Sequence, residues 1–315
     1  MTAYIVQRVA ESLVVLLVMS FVIYGLMGLM PGDPIDLMIQ ADPDLTSEDQ
    51  KRLKELYGLD KPLVERYWNW LTAALTGDFG YSRLYGQPVL AVLWPRLLNT
   101  LLLLGLSFAL AVAIALPAGI AAASRPRSWL DNAVNLGAFA GISVPPFWLA
   151  ILLILLFAVS LGWLPAGGMG GDAGFWVQAK HLVLPVVALT LSRVGGIVRY
   201  VRGSMMEALR ENHIRTARAK GLSRTRVLFG HALRNAMIPV VTILALDMGM
   251  LVSGALITET VFGWLGMGKT IYDAVMGNDY NLALMGLLFA TALTLAANLL
   301  ADLTYAWLDP RISYG

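Results

Sequence analysis

RYVRGSMMEALRENHIRTARAKGLSRTRVLFGHALRN, from Arg199 to Asn235, is the one long polar interruption on the side of the chain where basic residues collect. Nine residues in it are basic (Arg199, Arg202, Arg210, Arg215, Arg218, Lys220, Arg224, Arg226 and Arg234), and only Glu207 and Glu211 oppose them. Apolar runs close it off at both ends, and a strongly basic bridge between two membrane spans belongs in the cytoplasm. Good helix formers continue to Lys220, Gly221 suits the left-handed position that ends a helix, and Ser223 can cap a second one. The stretch reads helix, turn, helix. Its apolar residues are too sparse for a lipid-seeking face, which favours a protein partner.

Composition places the remainder. The 315 residues are 57% hydrophobic and 14% charged, well below the charge share of a soluble domain. A formal net charge of +2 gives no reason to invoke nucleic acid, and the basic residues have a membrane explanation. Without cysteine there is no disulfide or thiolate metal site, and His181, His213 and His231 form no metal-ligand pair.

Six apolar runs are expected to span the membrane: Ser12 to Met30, Leu98 to Ala123, Ala133 to Leu161, Leu182 to Val198, Met237 to about Thr258, and Ala283 to Leu308. The first is longer than a signal core and is followed by no evident cleavage site, so it reads as a signal anchor. Pro31 to Pro34 end it in a tight turn, and an acidic outer loop follows to about Pro95, with helices expected over Ser47 to Leu56 and Val64 to Leu75. Tyr67, Trp68 and Trp70 on the latter suit the headgroup layer. Arg8, the Arg125/Arg127 turn, the long basic loop and Arg311 fall on one side, which places both termini in the cytoplasm.

Ionisable residues inside spans are costly and face the bundle interior or water. Asp247 lies near the midplane of span five, either on a translocation path facing a charged substrate group or held by a partner such as Arg193 in span four. Pro117, Pro145 with Pro146, Pro185 and Pro239 each remove a backbone donor and are candidate kinks, with Pro145 and Pro146 the candidate hinge. Gly263 to Thr270 (GWLGMGKT) satisfies the phosphate-loop pattern, but it lies in an outer loop with no parallel strand before it and reads as a loop or re-entrant segment. No nucleophilic triad or paired carboxylate is placed for catalysis, so no enzyme is expected.

ARAKGLSRTRVLFGHALRNAMIP resembles the cytoplasmic coupling segment of the dipeptide, oligopeptide and nickel permease subunits of bacterial ABC importers. The resemblance covers nearly the whole chain, in order: PGDP at 31 to 34, YGLDKPLVERYWNWL at 57 to 71, GDFGYS at 77 to 82, SVPPFW at 143 to 148, ETVF at 259 to 262 and DLTYAWLDPRI at 302 to 312. Gly221 and Ala217 match the superfamily's glycine and second alanine. Arg215 and Thr216 stand where glutamate and alanine are usual, and Leu265 replaces a frequent proline.

The resemblance implies an all-α integral membrane protein of the bacterial cytoplasmic (inner) membrane, with six transmembrane helices and the type I ABC importer permease fold. Its parts would be an anchor helix with a large extracytoplasmic loop (1–95), the permease core (96–308) and a cytoplasmic tail (309–315). Implied partners are a second homologous permease subunit, two cytoplasmic ATPase subunits and an extracytoplasmic solute-binding protein. ATP and Mg would sit on the ATPases, with no cofactor, metal or nucleic acid on this chain. Arg215, Thr216, Ala217, Arg218, Ala219, Lys220 and Gly221 would enter a groove of one ATPase. The branch carries dipeptides, longer peptides, nickel chelates, glutathione and opines. Two alternatives stand beside this reading: a self-sufficient proton- or sodium-driven secondary transporter, and a membrane enzyme using Lys269.

Overall fold

The computed structural model describes residues 2–29 and 61–308. The expected turn at Pro31 to Pro34, the helix over Ser47 to Leu56 and the tail after 308 lie outside the described residues. The chain divides into two compact units, one formed by Met1–Asn99 with Gly266–Leu295, the other by Thr100–Leu265 with Ala296–Gly315.

In the first unit, α1 (Thr2–Met27) is a 26-residue apolar helix, and α2 (Leu63–Leu75) lies against it. The contact is aromatic: Tyr67 is buried, with its ring 5.1 Å from Phe21 and 5.7 Å from Tyr24, and its hydroxyl 2.7 Å from Ser20 Oγ. Trp70 stacks on the same cluster, and only Trp68 of the expected aromatic belt is exposed. A phenol buried among apolar rings needs a polar partner, and Ser20 supplies one, so α2 is tied down by two of the three aromatics. A two-residue hairpin follows, β1 (Tyr81–Ser82) against β2 (Gln87–Pro88), with Tyr81 opposite Pro88.

The hairpin leads directly into α3 (Val89–Ser124), so the second span begins earlier than Leu98 and takes in Pro95. The remaining elements of the first unit are α10 (Met267–Met276) and the start of α11 (Tyr280–Leu308). Buried Asp279 joins them to the hairpin: it accepts from Ser82 Oγ at 2.5 Å and Leu84 N–H at 3.0 Å, and caps α11 by accepting from Leu282 N–H at 3.2 Å.

In the second unit, the third expected span is not one helix. It is α4 (Trp129–Ser143) and α5 (Pro146–Leu153, continued by a π-helical segment over Ile154–Ser160), bent by 100°. Pro145 excludes Val144 from the helical region and Pro146 does the same to Pro145, so both adopt extended ψ values, 122° and 134°. Pro146 then opens the next helix at a position where its missing N–H costs nothing. The 15 residues of α4 rise roughly 22 Å, short of a ~30 Å hydrocarbon core. By contrast α3, α6 (Phe175–Ala208) and α9 (Leu233–Val261) run unbroken through Pro117, Pro185 and Pro239. Among the described residues, five helical stretches are long and apolar enough to cross a membrane, and the bent pair makes a sixth if taken as one span.

Helix α6 is the centre of this unit, packing on α4, α5 and α9. The packing relies on small residues. A Cβ at Gly195 would collide with the Ala138 carbonyl of α4, and one at Gly119 of α3 would come within 2.7 Å of Val201. Bare backbone lets the helices approach where lipid supplies no hydrophobic drive for association.

The far end of α4 is tied to α6 by a fork of charge. Arg202 Nε lies 2.5 Å from Asp131 Oδ1 and Nη2 lies 2.8 Å from Oδ2. Asp131 is 2% exposed and also accepts from Arg127 N–H and Asn135 Nδ2, both at 2.8 Å. Replacing Asp131 with Ala strands the Arg202 guanidinium and the Arg127 amide. The expected loss is about 2–3 kcal/mol, the low end for a broken buried pair because Arg202 keeps some solvent. A thermal unfolding series in detergent checks this, with Asp131→Asn losing less because its amide oxygen still accepts from Arg127.

Candidate functional site

The basic stretch folds in a way that its residue types explain. Helix α6 does not stop at Val198 but continues to Ala208, so the first ten residues of the stretch extend span four. After a turn at 209–211, α7 (Asn212–Ala219) forms, followed by α8 (Arg224–Val227), whose N-terminus is capped by Ser223 Oγ accepting from Arg226 N–H at 3.4 Å. A π-helical segment, Leu228–Ala232, joins α8 to α9.

Between α7 and α8, Gly221 has φ +76°. Its N–H donates to Arg218 O at 2.9 Å and Leu222 N–H reaches back to Ala217 O at 3.3 Å, the paired bonds of a Schellman ending. A Cβ at Gly221 would meet nothing within 4 Å. Glycine is therefore required by the backbone conformation, not by crowding.

Helix α7 has two faces. Ile214 is fully buried and Ala217 nearly so, packed in a cluster with Ala111, Ala115, Val201, Met205 and Ala208 of α3 and α6. Arg215, Thr216, Arg218, Ala219, Lys220 and Gly221 are exposed. The apolar side is thus spent on the chain's own helices, and what it offers outward is cationic and small. The seven residues read as the coupling segment are contiguous in space, but Ala217 belongs to the anchoring face.

Within the span region, Arg193 of α6 and Asp247 of α9 form an ion pair, Nη1 to Oδ2 at 3.1 Å. Their side chains keep 14% and 31% exposure, so the pair is not sealed within the chain's own core. The structure therefore joins the two charged residues that the sequence left with alternative fates. Pro145 and Pro146 are exposed at the 100° bend, away from that pair in sequence and on other elements.

The phosphate-loop pattern does not form a phosphate loop. Helix α9, not a strand, precedes Gly263, Trp264 is buried, and Lys269 Nζ lies 2.5 Å from Asp273 Oδ2 one turn along α10. Among the described residues no group of three or more His, Cys, Asp or Glu side chains could hold a metal ion.

The Asp131–Arg202 fork was not singled out from the sequence. A signal was present: Ser128 and Asp131 stand three apart ahead of an apolar run, the spacing of a helix cap, and Asp131 N–H does donate to Ser128 Oγ at 3.2 Å. What spacing could not give is the partner 71 residues away.

Residues 115–314 match the family described as binding-protein-dependent transport system inner membrane component, and residues 1–87 match the N-terminal region of such membrane components. The chain is 38% identical over its whole length to the oligopeptide transport system permease protein AppB of Bacillus subtilis, likewise covered in full. It is 35% identical, again with both chains fully covered, to the dipeptide transport system permease protein DppB of Alkalihalophilus pseudofirmus. Among solved structures, an amino acid ABC transporter with histidines aligns with a TM-score of 0.54 at 16% identity, covering 68% of this chain and 92% of that one; at that identity the likeness speaks for the fold. With a bent, small-residue-packed helical core and a family match over most of its length, this chain belongs to the inner membrane components of binding-protein-dependent transport systems.

Proposed function

We propose that the chain is one of two permease halves of an ATP-driven importer for peptides or related small solutes. The single observation that carries the coupling role is α7: a short helix pinned inward by Ile214 and Ala217 and ended at Gly221, with a cationic face left outward. Its outer residues, Arg215, Thr216, Arg218, Ala219 and Lys220, dock into a groove of a cytoplasmic ATPase. ATP and Mg are bound by that partner, one copy on each permease half. A second, homologous permease completes the path and an extracytoplasmic binding protein delivers the solute. Both termini face the cytoplasm, a reading supported by the distribution of basic residues. The peptide class is supported by the names of the full-length relatives, an oligopeptide and a dipeptide permease.

The mechanism follows from the connections of α7. Closure of the ATPases displaces α7, and because α7 hangs between α6 and α9 the displacement enters spans four and five. Coupling requires that the contacts differ between the two states. The Arg193–Asp247 pair bridges those same two helices, so relative motion between them changes its geometry. Left partly exposed by the chain's own helices, the pair offers a carboxylate and a guanidinium to the ammonium and carboxylate ends of a peptide on the path. The bend at Pro145 and Pro146 is the hinge about which α4 and α5 adjust.

Purifying the chain from its native membrane is expected to bring a second permease and ATPases with it. Gly221→Val forces a β-branched residue into a left-handed turn at a cost of about 1–2 kcal/mol with no added collision. The complex is expected to stay assembled while ATP-driven peptide uptake into proteoliposomes falls about tenfold, with Gly221→Asn largely restoring it. Unchanged uptake in the valine variant would remove the coupling role.

For the ion pair, Asp247→Asn and Arg193→Gln each leave one charge uncompensated, and the double variant is expected to recover stability by roughly 1–3 kcal/mol relative to additivity. Peptide uptake should remain low in the double variant. Recovery of uptake together with stability would make the pair a structural brace alone.

A further inference from the structure

Beside α7 the second unit holds a cavity of about 500 Å³ whose lining includes Arg127, Arg202, Arg210 and Arg218 together with Met206 and Leu209. Among the described residues no carboxylate lines it. Arg202 is neutralised by Asp131, but among the described residues the guanidinium groups of Arg127, Arg210 and Arg218 have no ion-pair partner. Glu207 and Glu211 line a separate, neighbouring cavity with Arg210 and pair with none of the three.

One of the arginines is held at the rim by a strained backbone. Arg127 has φ +62°, a conformation that costs a non-glycine residue about 1–2 kcal/mol, and its N–H is fixed by Asp131 Oδ2 at 2.8 Å. The carboxylate that neutralises Arg202 therefore also positions Arg127. Backbone strain of this kind persists only where its surroundings over-determine it.

We propose that this cavity binds the phosphate of an anionic phospholipid headgroup, with Arg127 and Arg210 as donors. Guanidinium groups match phosphate oxygens with paired N–H donors. Met206 and Leu209 give the site an apolar side suited to glycerol and the first acyl carbons, which a free anion or a partner's carboxylate would not use. The cavity lies at the end of α3, beside the extension of α6 past Val198, and basic pockets between helices on the cytoplasmic side are suited to anionic lipid. Because Arg210 lies in the turn that leads into α7 and Arg127 in the turn after α3, the bound headgroup ties the approach to α7 to the end of a span. The assignment needs only the membrane placement and does not depend on the solute being a peptide.

The test uses the whole complex in phosphatidylcholine nanodiscs containing a graded fraction of phosphatidylglycerol, with retained lipid counted by native mass spectrometry. Arg127→Asn combined with Arg210→Gln removes two donors, asparagine being tolerant of the left-handed backbone. Arg226→Gln removes a nearby exposed charge outside the cavity. The double variant, eluting as an intact complex, is expected to bind phosphatidylglycerol on the order of tenfold more weakly, with Arg226→Gln unchanged and millimolar inorganic phosphate failing to displace the lipid. Equal retention in the wild type and the double variant would overturn the proposal. So would equal loss in the Arg226 control, which marks diffuse surface charge, or displacement by inorganic phosphate, which marks a free-anion site. Lipid bound only by the isolated chain would overturn it too, giving the cavity to a partner protein.

Discussion

Hydrocarbon offers a backbone N–H or C=O no partner, and nearly every feature of this chain is a response to that constraint. Long helices satisfy their own groups, which explains why α3, α6 and α9 run through single prolines without breaking. Two consecutive prolines are another matter, since Val144 and Pro145 are both driven out of the helical region and no single turn can absorb the loss. The break is accordingly placed where one residue is extended, one is proline with no N–H to satisfy, and the next helix can restart at once. The same accounting recurs at α7, where the two bonds of the Schellman ending satisfy carbonyls that a bare helix terminus would leave open.

Association between helices has to come from elsewhere, because lipid tails are as apolar as leucine. Here it comes from absence of side chain and from charge. Gly119 and Gly195 let α6 approach α3 and α4 at backbone distance, while Asp131 and Arg202 lock the end of that contact. Shape complementarity sets the helices side by side, and the fork sets how far one can slide along the other.

Much of this was legible before any coordinates. Apolar run lengths give the number of spans, and Gly221 with Ser223 gives the turn and the cap of the basic stretch almost residue for residue. The candidate pair Arg193 and Asp247 could be named because charge in a span demands an explanation, although spacing alone left its outcome open. Element ends were less legible. Helix propensity does not mark where lipid stops, so the ten residues after Val198 read as the first helix of the basic bridge and instead continue span four without a break. Tyr67 and Trp70 looked like interface aromatics, since nothing in their own neighbourhood reveals that Ser20, Phe21 and Tyr24 wait 43 or more positions earlier. Asp131 carried the spacing of a cap with Ser128, but its partner Arg202 was silent for the same reason.

The two ends of the α7 region differ in stiffness. On one side α6 is a single unbroken rod whose last ten residues extend about 15 Å past Val198. On the other, the run into α9 passes through the wider π-helical turns of Leu228–Ala232, with weaker internal bonding. On the proposed coupling role, a push on α7 would reach span four as through a crank arm and span five as through a compliant joint. Motion entering by that route would reach the two helices unequally, so that span four leads and span five yields.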